Sequence, residues 1–203
     1  MTGRSPKQLS VDGPAGRIEL SVADPGETRR GCAVIAHPHP LYGGTLDNKV
    51  VQTLSKAFVG LGYTAVRFNF RGVGNSEGVF DDGRGETEDL LAVARFAQAQ
   101  YGASRLLLAG FSFGGFVAAA AAKLLAPARL VLIAPAVGRF PVEQVAENTL
   151  VVHGEADDVV ALADVFEWAR PQQLPVVVFP GTGHFFHGML VPLQQLVMNA
   201  CRD

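Results

Sequence analysis

The sequence predicts an α/β fold: a mostly parallel sheet covered by helices on both faces, with an antiparallel hairpin at its start. Three observations predict it. Short continuous apolar runs such as Cys32–Ala36 recur along the chain, as strands buried on both faces require. Segments with apolar residues at helical spacing alternate with those runs, the pattern of strand–helix–strand units. The first two strand-like runs, in contrast, are separated only by Asp12-Gly-Pro-Ala-Gly16, a turn signal.

The elements follow in order. Gln8–Val11 and Arg17–Val22 make the hairpin, and Cys32–Ala36 is the first buried strand. Val50, Val51, Leu54, Ala57, Phe58 and Leu61 recur at helical spacing, and Gly60 or Gly62 can end that helix. Thr64–Phe70 is the next strand. Leu90, Val93, Ala94 and Ala97 mark a helix whose first turn carries Glu86, Glu88 and Asp89, the charge sign that a helix dipole favours there. Arg105–Ala109 is then a strand, Phe113–Ala126 a helix and Arg129–Ala134 a strand. Leu150–His153 and Val176–Phe179 complete the sheet, with a helix near Ala161–Ala169 between them and a last helix over Leu190–Cys201. With 203 residues and no linker or repeat, the expectation is a single domain spanning 1–203.

Composition narrows the function classes. Apolar residues make up 48% and charged residues 18%, too apolar for a disordered chain. Mean hydropathy is +0.22, yet the most apolar run, Phe116–Ala126, is short and interrupted by Lys123, so no membrane span is expected. A net charge of −2 and no basic run longer than Arg29–Arg30 predict no nucleic-acid or anionic-membrane partner. Cys32 and Cys201 lack metal-like spacing and read as free thiols. Met1–Ser10 is polar, without the apolar core of a secretory signal, so the expected location is cytoplasmic.

In sheets of this type chemistry gathers at the carboxyl ends of the strands. Gly110-Phe-Ser112-Phe-Gly114 sits there, between a strand and an alanine-rich helix, the context of a nucleophile elbow. Chance is the competing explanation, since the chain holds 23 glycines; the strand–turn–helix setting favours the elbow. A serine hydroxyl needs a base, itself oriented by an acid, and the chain order here is Ser, acid, His. His184, in Gly181-Thr-Gly-His184, follows the last strand and is the expected base, with His187 a surface or supporting histidine. His153 ends a strand and leaves no room for an acid before it. Among Glu155, Asp157 and Asp158, Asp157 is the expected acid, while Asp158 is expected to cap or solvate the next helix.

An oxyanion needs two backbone N–H donors: Phe113, after the nucleophile, and one from His37-Pro-His-Pro-Leu-Tyr-Gly-Gly44. Pro38 and Pro40 have no N–H, which leaves His39, Leu41 or Tyr42; Leu41 and His39 are favoured and not separable from sequence. Two rival readings of nearby residues are weaker. His37-x-His39 is a possible zinc pair without a third ligand at motif spacing, and Arg71-Gly72-Val-Gly74-Asn-Ser76-Glu-Gly78 lacks the spacing and the helix of a dinucleotide fingerprint. No metal and no cofactor are therefore expected.

The chain resembles the α/β-hydrolase superfamily, and more closely the small bacterial serine hydrolases that carry HPHPLYGGTLDNKVV, FNFRGVGNSEG, GFSFGG, HGEADDVV and GTGHFFHG in that order. The resemblance runs from about Gly16 to Cys201. It implies a Ser–Asp–His carboxylic-ester hydrolase of broad or unknown physiological substrate on Ser112, Asp157 and His184, with Phe113 as one oxyanion donor; the expectation of a small-molecule acyl substrate comes instead from the short connection where a lid would sit. Members that carry a lid insert it between the sixth and seventh strands; Pro135–Asn148 offers 14 residues there, too few for a lid domain. An open, shallow site is expected, lined by Tyr42, Phe111, Phe113 and Phe185 and poorly suited to long-chain lipids. Ester, thioester and amide substrates stay open, as do monomer and homodimer. The alternatives are a non-catalytic binding protein on the same fold and a metal-dependent hydrolase using His37 and His39.

Overall fold

The computed structural model describes residues 5–27, 29–101 and 105–202; residues 1–4 of the Met1–Ser10 segment lie outside the described residues. Strands β1 (Lys7–Gly13) and β2 (Gly16–Ala23) form the antiparallel hairpin, with Gly13 opposite Gly16. Strands β3 (Gly31–Ala36), β4 (Tyr63–Phe68), β5 (Leu106–Phe111), β6 (Arg129–Ile133), β7 (Leu150–Gly154) and β8 (Val176–Phe179) pair in parallel. Helices α1 (Lys49–Gly60), α2 (Arg84–Tyr101), α3 (Phe113–Leu125), α4 (Leu162–Ala169) and α5 (Leu190–Ala200) fill the connections.

The sheet order is β1-β2-β4-β3-β5-β6-β7-β8. The chain passes from β3 to β4 on one side, then crosses back to β5 on the other. That reversal makes the carboxyl ends of β3 and β5 a switch point, where the two loops diverge and leave a crevice. It sets the loop beginning at His37 beside the turn at Ser112.

Alternation along the strands builds two cores. Cys32, Val34 and Ala36 of β3 join Leu106 and Leu108 of β5 under α2 and α3. Ala33 and Ile35 join Leu107, Ala109 and Phe111 under α1 and α5. A two-residue period with both phases apolar is what a sheet covered on both faces demands. Helix α1 begins where Asn48 accepts hydrogen bonds from Val50 N–H and Val51 N–H, at 2.9 and 3.4 Å. Among the described residues no helix is long and apolar enough to cross a membrane. The β6–β7 connection, residues 134–149, holds turns and a Val137–Phe140 bridge but no helix, so there is no lid domain there.

Strand β4 stops two residues short of the expected Phe70. The Phe70 N–H is taken by His37 Nε2 at 3.1 Å, and a side chain in that position ends the ladder. The His37 Nδ1–H bonds the Pro38 carbonyl at 2.6 Å, so both ring nitrogens are used and the ring is neutral. Burial pushes His37 down to about 4, against the Pro38 bond that favours the charged form. The glycine-rich loop after β4 is fastened in the same way. Arg71 Nε and Nη2 reach both oxygens of Asp89 at 3.0 and 2.8 Å, and Arg71 N–H adds a third bond at 3.0 Å. Glu86, expected only to complement the dipole, is fully buried and accepts from Asp81 N–H and Gly83 N–H.

Asp89→Ala should lower the unfolding free energy by about 3 kcal/mol in urea titration, because it takes three hydrogen bonds from the buried Arg71 and leaves its guanidinium only the more distant Glu88 carboxylate at 3.5 Å; a loss under about 1 kcal/mol would show that Glu88 or water replaces the carboxylate. His37 gives a pH signature. Its folded pKa lies below the ordinary histidine value, so its stabilisation is complete above about pH 6.5 and is lost as pH falls towards 4. Between pH 6.5 and 4 the unfolding free energy, read by urea titration at each pH, should fall by about 3 kcal/mol more in the wild type than in His37→Gln.

Candidate active site

Ser112 follows β5 directly and adopts φ 54° and ψ −118°, a left-handed backbone that a residue with a Cβ takes only under constraint. The constraint is close packing. A Cβ on Gly110 would lie 2.0 Å from the Gly114 carbonyl oxygen, and one on Gly114 would lie 2.4 Å from the Ala36 carbonyl oxygen. The turn thus needs both glycines. Ser112 N–H bonds the Ile133 carbonyl at 2.9 Å, and the Ser112 carbonyl accepts from Gly115 and Ala136 at 2.9 and 3.2 Å. The residue stands at the N-cap of α3, yet its side chain makes no capping bond. The hydroxyl is left for other partners.

The loops after β7 and β8 bring Asp157 and His184 together. His184 Nδ1–H donates to Asp157 Oδ2 at 2.7 Å, and both side chains are buried. Asp157 Oδ1 accepts from Val159 N–H and Val160 N–H at 2.9 and 2.8 Å, so the carboxylate also closes its own turn. Burial pushes this carboxyl up, but the His184 bond and the two backbone bonds outweigh it and hold it below the ordinary range. The bond at Nδ1 selects the tautomer in which Nε2 is the acceptor. Glu155 accepts from Gly181 N–H at 2.8 Å and ties the two loops together. Asp158 does not cap α4, whose N-cap is Ala161; it borders a groove of about 720 Å³ with Gly183, His184, Phe185 and His187. His187 lies exposed in the turn before α5.

Ser112 and His184 make no hydrogen bond with each other among the described residues. Phe111, the residue before Ser112, packs its ring against that of His184 at 4.9 Å between centroids. Phe111 is fully buried, which corrects its expected place on the wall of an open site. It supports His184 and Phe185 from beneath, because the two-residue period of β5 points it into the core under α1 and α5. Tyr42 and Phe185 are exposed, at 84% and 45%.

The loop after β3 separates the three candidate donors. Leu41 N–H is held by His39 Nδ1 at 3.2 Å, and Tyr42 N–H by the His39 carbonyl at 3.2 Å. Among the described residues only the N–H of His39 in this trio has no acceptor, and Phe113 N–H, first in α3, has none either. The His37–His39 metal pair is not built: both nitrogens of His37 and Nδ1 of His39 are occupied by backbone partners.

One residue set aside in the sequence belongs to this site. His153 is fully buried; its Nε2–H donates to the Val160 carbonyl at 2.9 Å and lies 3.4 Å from Asp157 Oδ2. Burial lowers its pKa despite these partners, so it is a neutral ring whose Nδ1 has no partner. Its position four residues before Asp157 was the available signal.

A family model described as X-Pro dipeptidyl-peptidase (S15 family) matches residues 12–178. An α/β serine hydrolase without lid from Xanthomonas campestris superposes with a TM-score of 0.91 at 39% identity, over 98% of this chain and 95% of that one. An α/β serine hydrolase homologue from Coxiella burnetii gives 0.90 at 40% identity, over 99% and 100%. An uncharacterized protein of Rickettsia prowazekii is 45% identical over 112 residues, which are 55% of this chain and 47% of that one; the match spans about half of that relative's length. Elbow, sheet order and these relatives together place the chain in the S15 family of the α/β-hydrolase superfamily, as a hydrolase of the lidless α/β serine type.

Proposed function

We propose that the protein hydrolyses small carboxylic esters or thioesters through an acyl-enzyme on Ser112. One observation carries the reading: a left-handed serine at the tip of β5 shares the carboxyl edge of the sheet with a His184–Asp157 pair bonded at 2.7 Å. His184 Nε2 takes the hydroxyl proton as Ser112 Oγ attacks the carbonyl carbon, and Asp157 stabilises the imidazolium and fixes the ring. The carbonyl oxygen becomes an anion, held by Phe113 N–H and His39 N–H. The tetrahedral intermediate expels the alcohol or thiol, which receives the proton from His184. Water then loses a proton to His184, attacks the acyl-enzyme and releases the acid, and the proton returns to Ser112. Every group in this cycle comes from one chain and needs neither metal nor cofactor, and the uncovered edge of the sheet favours small acyl groups.

The family description favours a second reading, in which the acyl group is a short peptide ending in proline and the leaving group an amine. The steps are the same, and a p-nitroanilide of a dipeptide ending in proline separates the two.

Ser112→Ala should abolish labelling by a fluorophosphonate probe and lower hydrolysis of p-nitrophenyl acetate by at least about 10⁴-fold. A wild type that resists the probe and turns over neither ester nor anilide would instead point to a binding protein on this fold. Asp157→Asn should lower kcat by about 10²- to 10⁴-fold, because the amide favours the wrong tautomer of His184; an undiminished rate would remove Asp157 from the cycle.

A further inference from the structure

Beside the nucleophile the structure carries an aromatic surface that the cycle above does not use. The ring of His39 lies 4.7 Å from Tyr42, 4.9 Å from Phe80, 4.9 Å from Phe113 and 5.8 Å from Phe140. Phe140 stacks on Phe116 at 5.1 Å and 16°. Phe113 is buried, but His39, Phe80, Phe116 and Phe140 are only half-buried and Tyr42 is exposed. Four separate segments contribute these rings: the loop after β3, the loop before α2, the first turn of α3 and the turn after β6. The surface is also fastened to the nucleophile. Phe113 is its neighbour in sequence, and Phe140 N–H bonds the Ala136 carbonyl while Ala136 N–H bonds the carbonyl of Ser112. The two free donors, His39 N–H and Phe113 N–H, belong to residues whose rings form its centre.

We propose that this surface is an aryl-binding platform, and that the preferred substrates are esters carrying a neutral aromatic ring close to the scissile carbonyl. The inference rests on the hydrolase reading above and gives it a substrate class. Rings arranged at tilts of 38° to 69° around His39 and Phe113 offer both faces and edges, which suits a further ring at edge-to-face or offset contact. Entropy points the same way. Without a lid to enclose it, a flexible acyl chain lying on this edge would lose rotamer freedom with every methylene while staying half-solvated. A planar ring has few torsions to lose and covers a flat apolar area in one step. Asp82, whose charge is felt by His39, sits at the margin and disfavours an anionic ring.

The test uses matched pairs that differ only in the ring: benzyl against cyclohexylmethyl acetate for the alcohol side, and methyl 3-phenylpropanoate against methyl 3-cyclohexylpropanoate for the acyl side. The expected result is a preference of about tenfold in kcat/KM for the aryl member of at least one pair, from two or more aromatic contacts of about two- to tenfold each. Phe140→Leu, which keeps apolar bulk at a half-buried position, should cut that preference at least threefold, read as the ratio of kcat/KM within each pair; Phe80→Leu serves if Phe140→Leu does not fold. Pairs that differ by less than twofold, or a preference that survives both substitutions, overturn the proposal. Fluorophosphonate labelling of Ser112 is run alongside: a labelled enzyme without aryl preference overturns only the platform, whereas an unlabelled one overturns the hydrolase reading beneath it.

Discussion

The closeness of α3 to the end of β3 governs this molecule. A single methyl group on Gly114 would meet the Ala36 carbonyl oxygen at 2.4 Å. That approach lets a helix start immediately above the sheet, forces Ser112 into a left-handed conformation between two glycines, and brings the first N–H of the helix level with the loop after β3. Strand order supplies the other half of the condition. Because the chain changes direction across the sheet between β4 and β5, β3 and β5 are neighbours and the two loops face one crevice.

The surrounding loops are stiffened by groups that cannot easily move. His37 spans from the Pro38 carbonyl to Phe70 N–H, and Arg71 is forked onto Asp89, so the segments after β3 and β4 are each held by a buried polar contact. Such contacts contribute little net stability compared with apolar packing, but they are expensive to break singly and they specify one arrangement. The His39 ring depends on that arrangement, since Phe80 and Phe140 reach it from segments about 40 and about 100 residues further along the chain only once those loops are set.

Much of this was legible in the sequence for local reasons. Apolar runs bounded by turn residues gave the strands, and helical spacing gave α1 and α3 within a residue or two. Ser112, Asp157 and His184 stood out because each follows a strand in a loop rich in glycine or acid. What stayed hidden was decided by direction in space. Phe111 stands between Gly110 and Ser112, and nothing in that string tells which face of β5 it takes. The choice among His39, Leu41 and Tyr42 turned on one side chain folding back onto Leu41 N–H. His153 was set aside on chain order, a rule about reacting groups that says nothing of a residue lying alongside Asp157. The early end of β4 came from a histidine 33 positions away taking a ladder donor.

Asp157 carries two duties with one charge: its Oδ2 faces His184 while its Oδ1 fastens the backbone of Val159 and Val160. Its pKa is depressed in the folded chain, so the stabilisation it brings is complete above the ordinary aspartate value and is withdrawn as pH falls through the lowered one. Protonation would then release the imidazole and unlatch the turn in one event. On the proposed cycle, acid inactivation and local unlocking of the β7 loop would be a single transition, and recovery of activity after acid exposure would follow the re-closing of a backbone turn rather than a simple return of a proton.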